Sequence, residues 1–189
     1  MKLLFLLTTS LILLLSGCAP TMSVLHQGPI EQDATTRSWG AMVNDSTIET
    51  VTAVNIKKSH PDMTQADIDV VSYNGFVLLV GHVPSKHLRQ LAESEAKKTR
   101  DVRKVFNELI VGNVPSFFLS SNDTWLTTKV KTNMMAEKDF PSSRIKIITE
   151  DGTVYMMGLV TREEADKAVN IARNTEGVQK IVKVFEYIP

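Results

Sequence analysis

Two stretches of this chain repeat one pattern, and that repeat limits the possible fold more than any other feature. Asn44-Asp45-Ser46-Thr47 recurs 78 positions later as Asn122-Asp123-Thr124-Trp125. Asn or Asp followed by Ser or Thr, just before a periodic apolar stripe, predicts a helix N-terminus. The stripes recur at every fourth residue, and they are Ile48, Thr52 and Ile56 in the first copy and Leu126, Val130 and Met134 in the second. Each copy is therefore expected to open with a helix that buries one face.

A β-hairpin is predicted after each of these helices. Asn74-Gly75 separates the apolar runs 68–71 and 76–80, and Asp151-Gly152 separates the runs 145–148 and 154–157. Asn-Gly and Asp-Gly are strong hairpin signals, because tight turns need positive φ. Each outgoing strand ends in a glycine, which predicts a bulge or a close backbone approach. The glycines expected to be structural are Gly75, Gly81, Gly152 and Gly158.

A second helix and a third strand complete each copy. The helical stripes contain Leu88, Leu91, Ala92 and Ala96 in the first copy and Ala165, Ala168, Val169 and Ala172 in the second. Gly177 is expected as the C′ glycine of the later helix, and strands are predicted over 105–111 and 178–188. The predicted fold class is α/β (α+β): two tandem α-β-β-α-β domains, each with a small three-stranded mixed sheet packed on two helices.

The N-terminus has the pattern of an export signal. Lys2 precedes an apolar run, and the run closes on Leu15-Ser16-Gly17-Cys18 with the chain's only cysteine. A run this short predicts a cleaved signal peptide, since a spanning helix needs about 20 apolar residues. The ending resembles a bacterial lipobox, which implies cleavage before Cys18 and acylation of Cys18. The expected organisation is signal peptide 1–17, acylated N-terminus and tether 18–43, first domain 44–111, linker 112–121 and second domain 122–189.

Composition and motifs exclude several classes of function. Lys plus Arg and Asp plus Glu both number 21, so the broad basic surface of a nucleic-acid-binding protein is not expected. His26, His60, His82 and His87 match no metal-ligand spacing and are expected to be on the surface or partly packed. The chain contains no nucleophile elbow, P-loop or dinucleotide fingerprint. The sequence therefore predicts no enzyme activity, no metal and no cofactor.

The first helix of the second copy carries a second apolar strip. At about 100° per residue, Trp125, Thr128, Thr132 and Met135 fall on the face opposite the core stripe, and Lys129 and Lys131 flank them. A tryptophan beside lysines is typical of an interfacial membrane contact. The first copy has Thr47, Val51 and Ala53 at the positions of Trp125, Lys129 and Lys131. The alternative is that Trp125 is a core residue or packs on Phe117 and Phe118.

The repeated turn-strand-glycine cores, Asn74-Gly75 to Gly81 and Asp151-Gly152 to Gly158, resemble those of the BON domain family. Together with the lipobox, they are similar to dual-BON outer-membrane lipoproteins. The resemblance implies a non-enzymatic, lipid-anchored protein that faces the periplasm and supports envelope integrity at the division site. It also implies that the second domain binds anionic phospholipid, so the four residues of the outer face and the two flanking lysines form the predicted lipid site. Ala19-Pro20, with no Asp after the anchor cysteine, favours the outer membrane by the same analogy.

Two other functions are compatible with the sequence. An adaptor for outer-membrane assembly proteins would dock through Phe117, Phe118 and Leu119. A membrane-perturbing, haemolysin-like factor would use the same amphipathic basic surface.

Overall fold

The computed structural model describes residues 37–112 and 117–189, with side chains described for all of these except 117–120. The signal peptide, Cys18 and the tether up to residue 36 lie outside the described residues. The first copy contains α1 (Trp39–Ser59), β1 (Asp67–Tyr73), β2 (Phe76–Val83), α2 (Lys86–Lys98), β3 (Lys104–Asn107) and β4 (Ile110–Val111). The second contains α3 (Phe117–Ala136), β5 (Ile145–Glu150), β6 (Thr153–Val160), α4 (Arg162–Arg173) and β7 (Lys180–Tyr187). Short 3-10 turns, Pro61–Gln65 and Ser142–Arg144, precede the two hairpins.

The predicted α+β fold is confirmed in both copies. β1 pairs antiparallel with β2, and β5 pairs antiparallel with β6, across the two predicted turns. The closing strands then run parallel to β2 and β6, giving two mixed sheets. Among the described residues, none of the helices combines the length and the apolar character needed to cross a bilayer.

The continuous strand predicted over 105–111 is wrong, because Glu108 and Leu109 interrupt it. The side chain of Asn107 accepts a hydrogen bond from the Leu109 N–H at 3.3 Å, and Leu109 turns into the core of the first domain. The chain therefore pairs with β2 twice, as β3 and β4, and this sheet has four strands.

The predicted helix starts are also wrong. α1 begins at Trp39, where the hydroxyl of Ser38 caps it by accepting from the Ala41 N–H at 3.1 Å, and α3 begins at Phe117. Asn44 and Asn122 therefore lie inside helices, and the last residues of both the expected tether and the expected linker are helical. Gly177, expected at C′ of α4, lies in the following loop with φ +101°, because the helix already ends at Arg173.

The repeated Asp of each motif ties its helix to a hairpin turn. The Asp45 carboxylate accepts from the backbone N–H groups of Asn74 and Gly75 at 2.8 and 2.9 Å. The Asp123 carboxylate accepts from Asp151 and Gly152 at the same two distances. Gly75 and Gly152 have φ of +74° and +69°, which suits the tight turns that the sequence predicts.

Residues Ala34–Pro189 form one compact unit that contains three cores. The predicted apolar stripes of α1 and α3 are buried. The α1 stripe packs against the inner faces of α2 and β2, and the α3 stripe packs against those of α4 and β6. The third core lies between the two sheets, where the outer faces of β2 and β6 meet. Its buried members are Tyr73, Leu78, Val80, Tyr155, Met157 and Val184.

Candidate functional site

The outward face of α3 presents a tryptophan to solvent. Leu126, Val130 and Met134 are fully buried, and this fixes the rotation of the helix. The opposite face therefore points outward, leaving Trp125 56% and Met135 61% exposed. Thr128 and Thr132 are exposed beside them. The alternative that Trp125 is a core residue is thus excluded, whereas the alternative that it packs on Phe117 and Phe118 involves side chains outside those described. Trp125, Thr128, Thr132 and Met135 form one outer strip.

Lys129 supplies the positive charge beside this strip. Its ammonium nitrogen lies 4.5 Å from the centroid of the Trp125 ring, within the range of a cation–π interaction. The same ammonium is 3.3 Å from the carbonyl oxygen and 3.4 Å from the carboxylate of Glu176. That carboxylate is almost wholly exposed to solvent, so another anion, such as a lipid headgroup, can take its place beside the Lys129 ammonium.

Lys131 is not brought together with the tryptophan. Its ammonium donates to the backbone carbonyls of Ser142 and Ile145 at 2.7 and 2.6 Å, and burial lowers its pKa. Helical spacing places Lys131 near the outer strip, but its long stem carries the charge towards the start of β5. The ammonium thus binds two carbonyls within the domain and lies away from the outer strip.

The equivalent face of α1 has different chemistry. Val51 and Val54 are partly exposed there, and Val51 stands where the second copy has Lys129. Trp39, at the start of the same helix, is 82% exposed, whereas the sequence pattern places it in the tether. In the sequence, a tryptophan within a polar stretch is the only signal that sets this position apart from the rest of the tether.

His82 is buried, contrary to the expectation of a surface or partly packed histidine, whereas His60 and His87 retain solvent exposure. Nδ1 of His82 lies 3.2 Å from Glu150 Oε1, and Nε2 lies 3.0 Å from Asp151 Oδ2. Burial raises the pKa of Glu150 to about 7, and His82 opposes that rise. This cluster joins β2 of one copy to the hairpin of the other, so no local sequence spacing signals it.

Comparison with known proteins identifies the family. The BON domain model matches residues 44–113 and 122–189. The chain is 35% identical to outer membrane lipoprotein DolP of Haemophilus influenzae, over 92% of this chain and 90% of the relative. It is 34% identical to a 21 kDa hemolysin of Actinobacillus pleuropneumoniae, over 86% and 82% of the two chains. Osmotically-inducible protein Y of Escherichia coli is 28% identical over 79% and 75%.

The family model covers both repeats, and the three relatives are matched over 75 to 90% of their own length. The DolP match supports localisation at the outer membrane through a lipid anchor, in agreement with the lipobox. The chain belongs to the BON domain family, as a two-domain protein of the DolP type.

Proposed function

We propose that this protein binds anionic phospholipid through its second BON domain while an acyl chain on Cys18 holds it to the periplasmic face of the outer membrane. The observation that carries the proposal is the solvent-exposed Trp125, with Met135 on the same strip and the Lys129 ammonium against its ring. The role is non-enzymatic. Family resemblance extends the proposal to envelope integrity at the division site.

The energetics describe a weak, reversible contact that the acyl anchor strengthens. In the membrane-bound state, the Trp125 indole lies at headgroup depth and the Met135 side chain is buried in lipid, so both supply apolar contact area. A lysine near an anionic surface adds about 1 kcal/mol. Together these give reversible binding, and the acyl anchor raises the effective concentration of the membrane around the domain.

Vesicle flotation tests the lipid site without the contribution of the anchor. The chain from Ala34 to Pro189, which is one compact unit, is mixed with vesicles of phosphatidylglycerol or of phosphatidylcholine alone. We expect flotation with the anionic vesicles, a loss of it at high salt, and its abolition by Trp125→Glu.

Trp39→Glu is the matched control, because it makes the same substitution at an exposed tryptophan outside the proposed site. It should float like the wild type. Equal binding by Trp125→Glu and the wild type would disprove the site. If the wild-type chain fails to float at all, the adaptor function becomes the better explanation.

A second candidate is membrane perturbation, which the hemolysin relative favours by its name. Dye release from the same phosphatidylglycerol vesicles separates it from simple binding. Binding without release supports the proposed function, and release that requires Trp125 supports the second candidate.

A further inference from the structure

The buried imidazole of His82 has no role in the lipid site or in either domain core. Its side chain is 5% exposed, and it lies between two carboxylates of the other domain. Glu150 Oε1 lies 3.2 Å from Nδ1, but Nδ1 makes no hydrogen bond among the described residues. A buried polar atom without a hydrogen bond lowers the stability of the fold, so a ligand or a proton bound at Nδ1 would stabilise this arrangement.

The surroundings of this imidazole carry excess negative charge. Glu150 and Asp151 line a cavity of about 430 Å³ that Asp67, Asp69 and Asp123 also line. Five carboxylates thus line this cavity, and two of them, Glu150 and Asp151, contact His82. Asp123 is already used by the backbone of the hairpin turn, whereas the Glu150 and Asp151 side chains stay partly open to solvent. An ion arriving from solvent can therefore reach them.

The distances suit a small divalent ion with nitrogen and oxygen ligands. Two ligands of a tetrahedral Zn²⁺ lie about 3.3 Å apart, and Nδ1 of His82 is 3.2 Å from Glu150 Oε1. One ligand atom from each of His82, Glu150 and Asp151 falls within 4.8 Å of the others. Asp151 Oδ2 lies 3.0 Å from Nε2, on the other side of the ring, so this partly exposed carboxylate rotates to reach an ion bound at Nδ1. Water supplies the remaining position, as it does at open zinc sites.

We propose that His82, Glu150 and Asp151 form a binding site for Zn²⁺ at the junction of the two BON domains. His82 comes from β2, and both carboxylates come from the hairpin between β5 and β6, so the ion links the domains. The site gives the orphaned Nδ1 a partner and offsets the repulsion among the carboxylates. Thr128 of the outer strip lines the same cavity but supplies no ligand, and neither proposal depends on the other.

Zn²⁺ alone is the probe, titrated by calorimetry into the full chain purified in detergent and stripped with a chelator. We expect binding of one equivalent and a higher melting temperature at saturation. His82→Gln should remove both effects, and Glu150→Gln should weaken binding at least tenfold. Circular dichroism of each metal-free variant checks that it folds, and Glu150→Gln keeps the test open if His82→Gln does not.

His87→Gln is the matched control, since His87 and His60 form a surface pair with ring centroids 6.2 Å apart. It should bind Zn²⁺ like the wild type. Loss of binding in His87→Gln but not in His82→Gln would assign the ion to the surface pair and overturn the proposal. Absence of any Zn²⁺-dependent heat or melting shift in the folded wild type would overturn it equally.

Discussion

At the residue scale, Asp45 and Asp123 show how one side chain fixes a hairpin against a helix. Each carboxylate uses both oxygens on two successive backbone N–H groups of a turn whose residues have positive φ. Hydrogen bonds to a charged acceptor are stronger than neutral ones. Both oxygens of each buried carboxylate therefore hold the turn where the outgoing strand must start. Asp45 also accepts from the Ser72 hydroxyl and the Arg37 guanidinium, each at 2.7 Å.

Gly158 is the residue at which an added methyl group should be most damaging in the second domain. A Cβ there would lie 2.5 Å from the carbonyl oxygen of Arg144, and this oxygen belongs to backbone that cannot rotate away. We expect Gly158→Ala to lower the free energy of unfolding by about 2 kcal/mol, and Gly158→Glu by more. Thermal melting followed by circular dichroism measures the effect.

Gly112→Ala is the control for that substitution. No atom lies within 4 Å of a Cβ built at Gly112, so its melting temperature should stay close to that of the wild type. Equal melting temperatures for Gly158→Ala and the wild type would show that the strands tolerate the closer approach.

At the scale of the element, α3 has three faces with different tasks. Its inner stripe fills the core of the second domain, and its outer strip carries the proposed lipid contact. A third side contacts the hairpin and the start of β5. Asp123 accepts from the hairpin turn, the Thr127 hydroxyl donates to Thr149 at 2.7 Å, and Lys131 donates to two carbonyls. The two lysines that the helical spacing grouped together therefore separate into one near the lipid strip and one inside the domain.

Lys131→Gln should test this separation. The substitution removes two charge-assisted hydrogen bonds to carbonyls, so we expect a loss of about 2 kcal/mol in unfolding free energy with phosphatidylglycerol binding retained. Lys129→Gln should do the opposite, weakening flotation with little change in melting temperature. Lys138→Gln, on an exposed residue, controls for the loss of one positive charge. Weaker flotation of a folded Lys131→Gln would return Lys131 to the lipid site.

At the scale of the whole molecule, the two sheets pack back to back through residues that occupy equivalent positions in the repeats. Leu78 and Val80 of β2 face the other sheet, as do Tyr155 and Met157 of β6. Alternate residues of the same strands, such as Val77 and Val154, face the helices. Both central strands are therefore apolar on both sides, which explains why they lack the alternation of a half-exposed strand.

The sequence predicts what local chemistry determines. Helical stripes and Asn-Gly or Asp-Gly turns depend on residues a few positions apart, and both were found correctly. The helix starts are predicted wrongly because Asp45 and Asp123 have the sequence context of a helix N-cap. Their carboxylates instead accept hydrogen bonds from backbone N–H groups in the turn of the next hairpin. The packing of the sheets, the burial of His82 and the inward turn of Lys131 depend on which surfaces meet, and no spacing in the chain encodes that.

Glu186 and Arg103 form one of the polar links across the domain junction. The Glu186 carboxylate accepts from both terminal nitrogens of Arg103 at 2.6 and 2.8 Å and from the Asn74 side chain at 2.7 Å. Hydrogen bonding from Arg103 lowers the pKa of Glu186 below its ordinary value of 4.5. The ionised carboxylate is thus favoured by folding, and its contribution to stability is complete above pH 4.5 and lost as pH falls through the lowered pKa.

Glu186→Gln should therefore destabilise the protein in a pH-dependent way. We expect a loss of about 1 kcal/mol at neutral pH, since Arg103 is half exposed and the pair is screened. The difference from the wild type should shrink as pH falls below 4.5, because the wild-type carboxyl then becomes protonated. Calorimetric melting over a descending pH series measures it. Glu176→Gln is the control, because it removes an exposed carboxylate paired within one domain, and its melting temperature should change little at any pH. If the melting temperature of Glu186→Gln falls below that of the wild type by the same amount at every pH, the charge of Glu186 does not stabilise the junction.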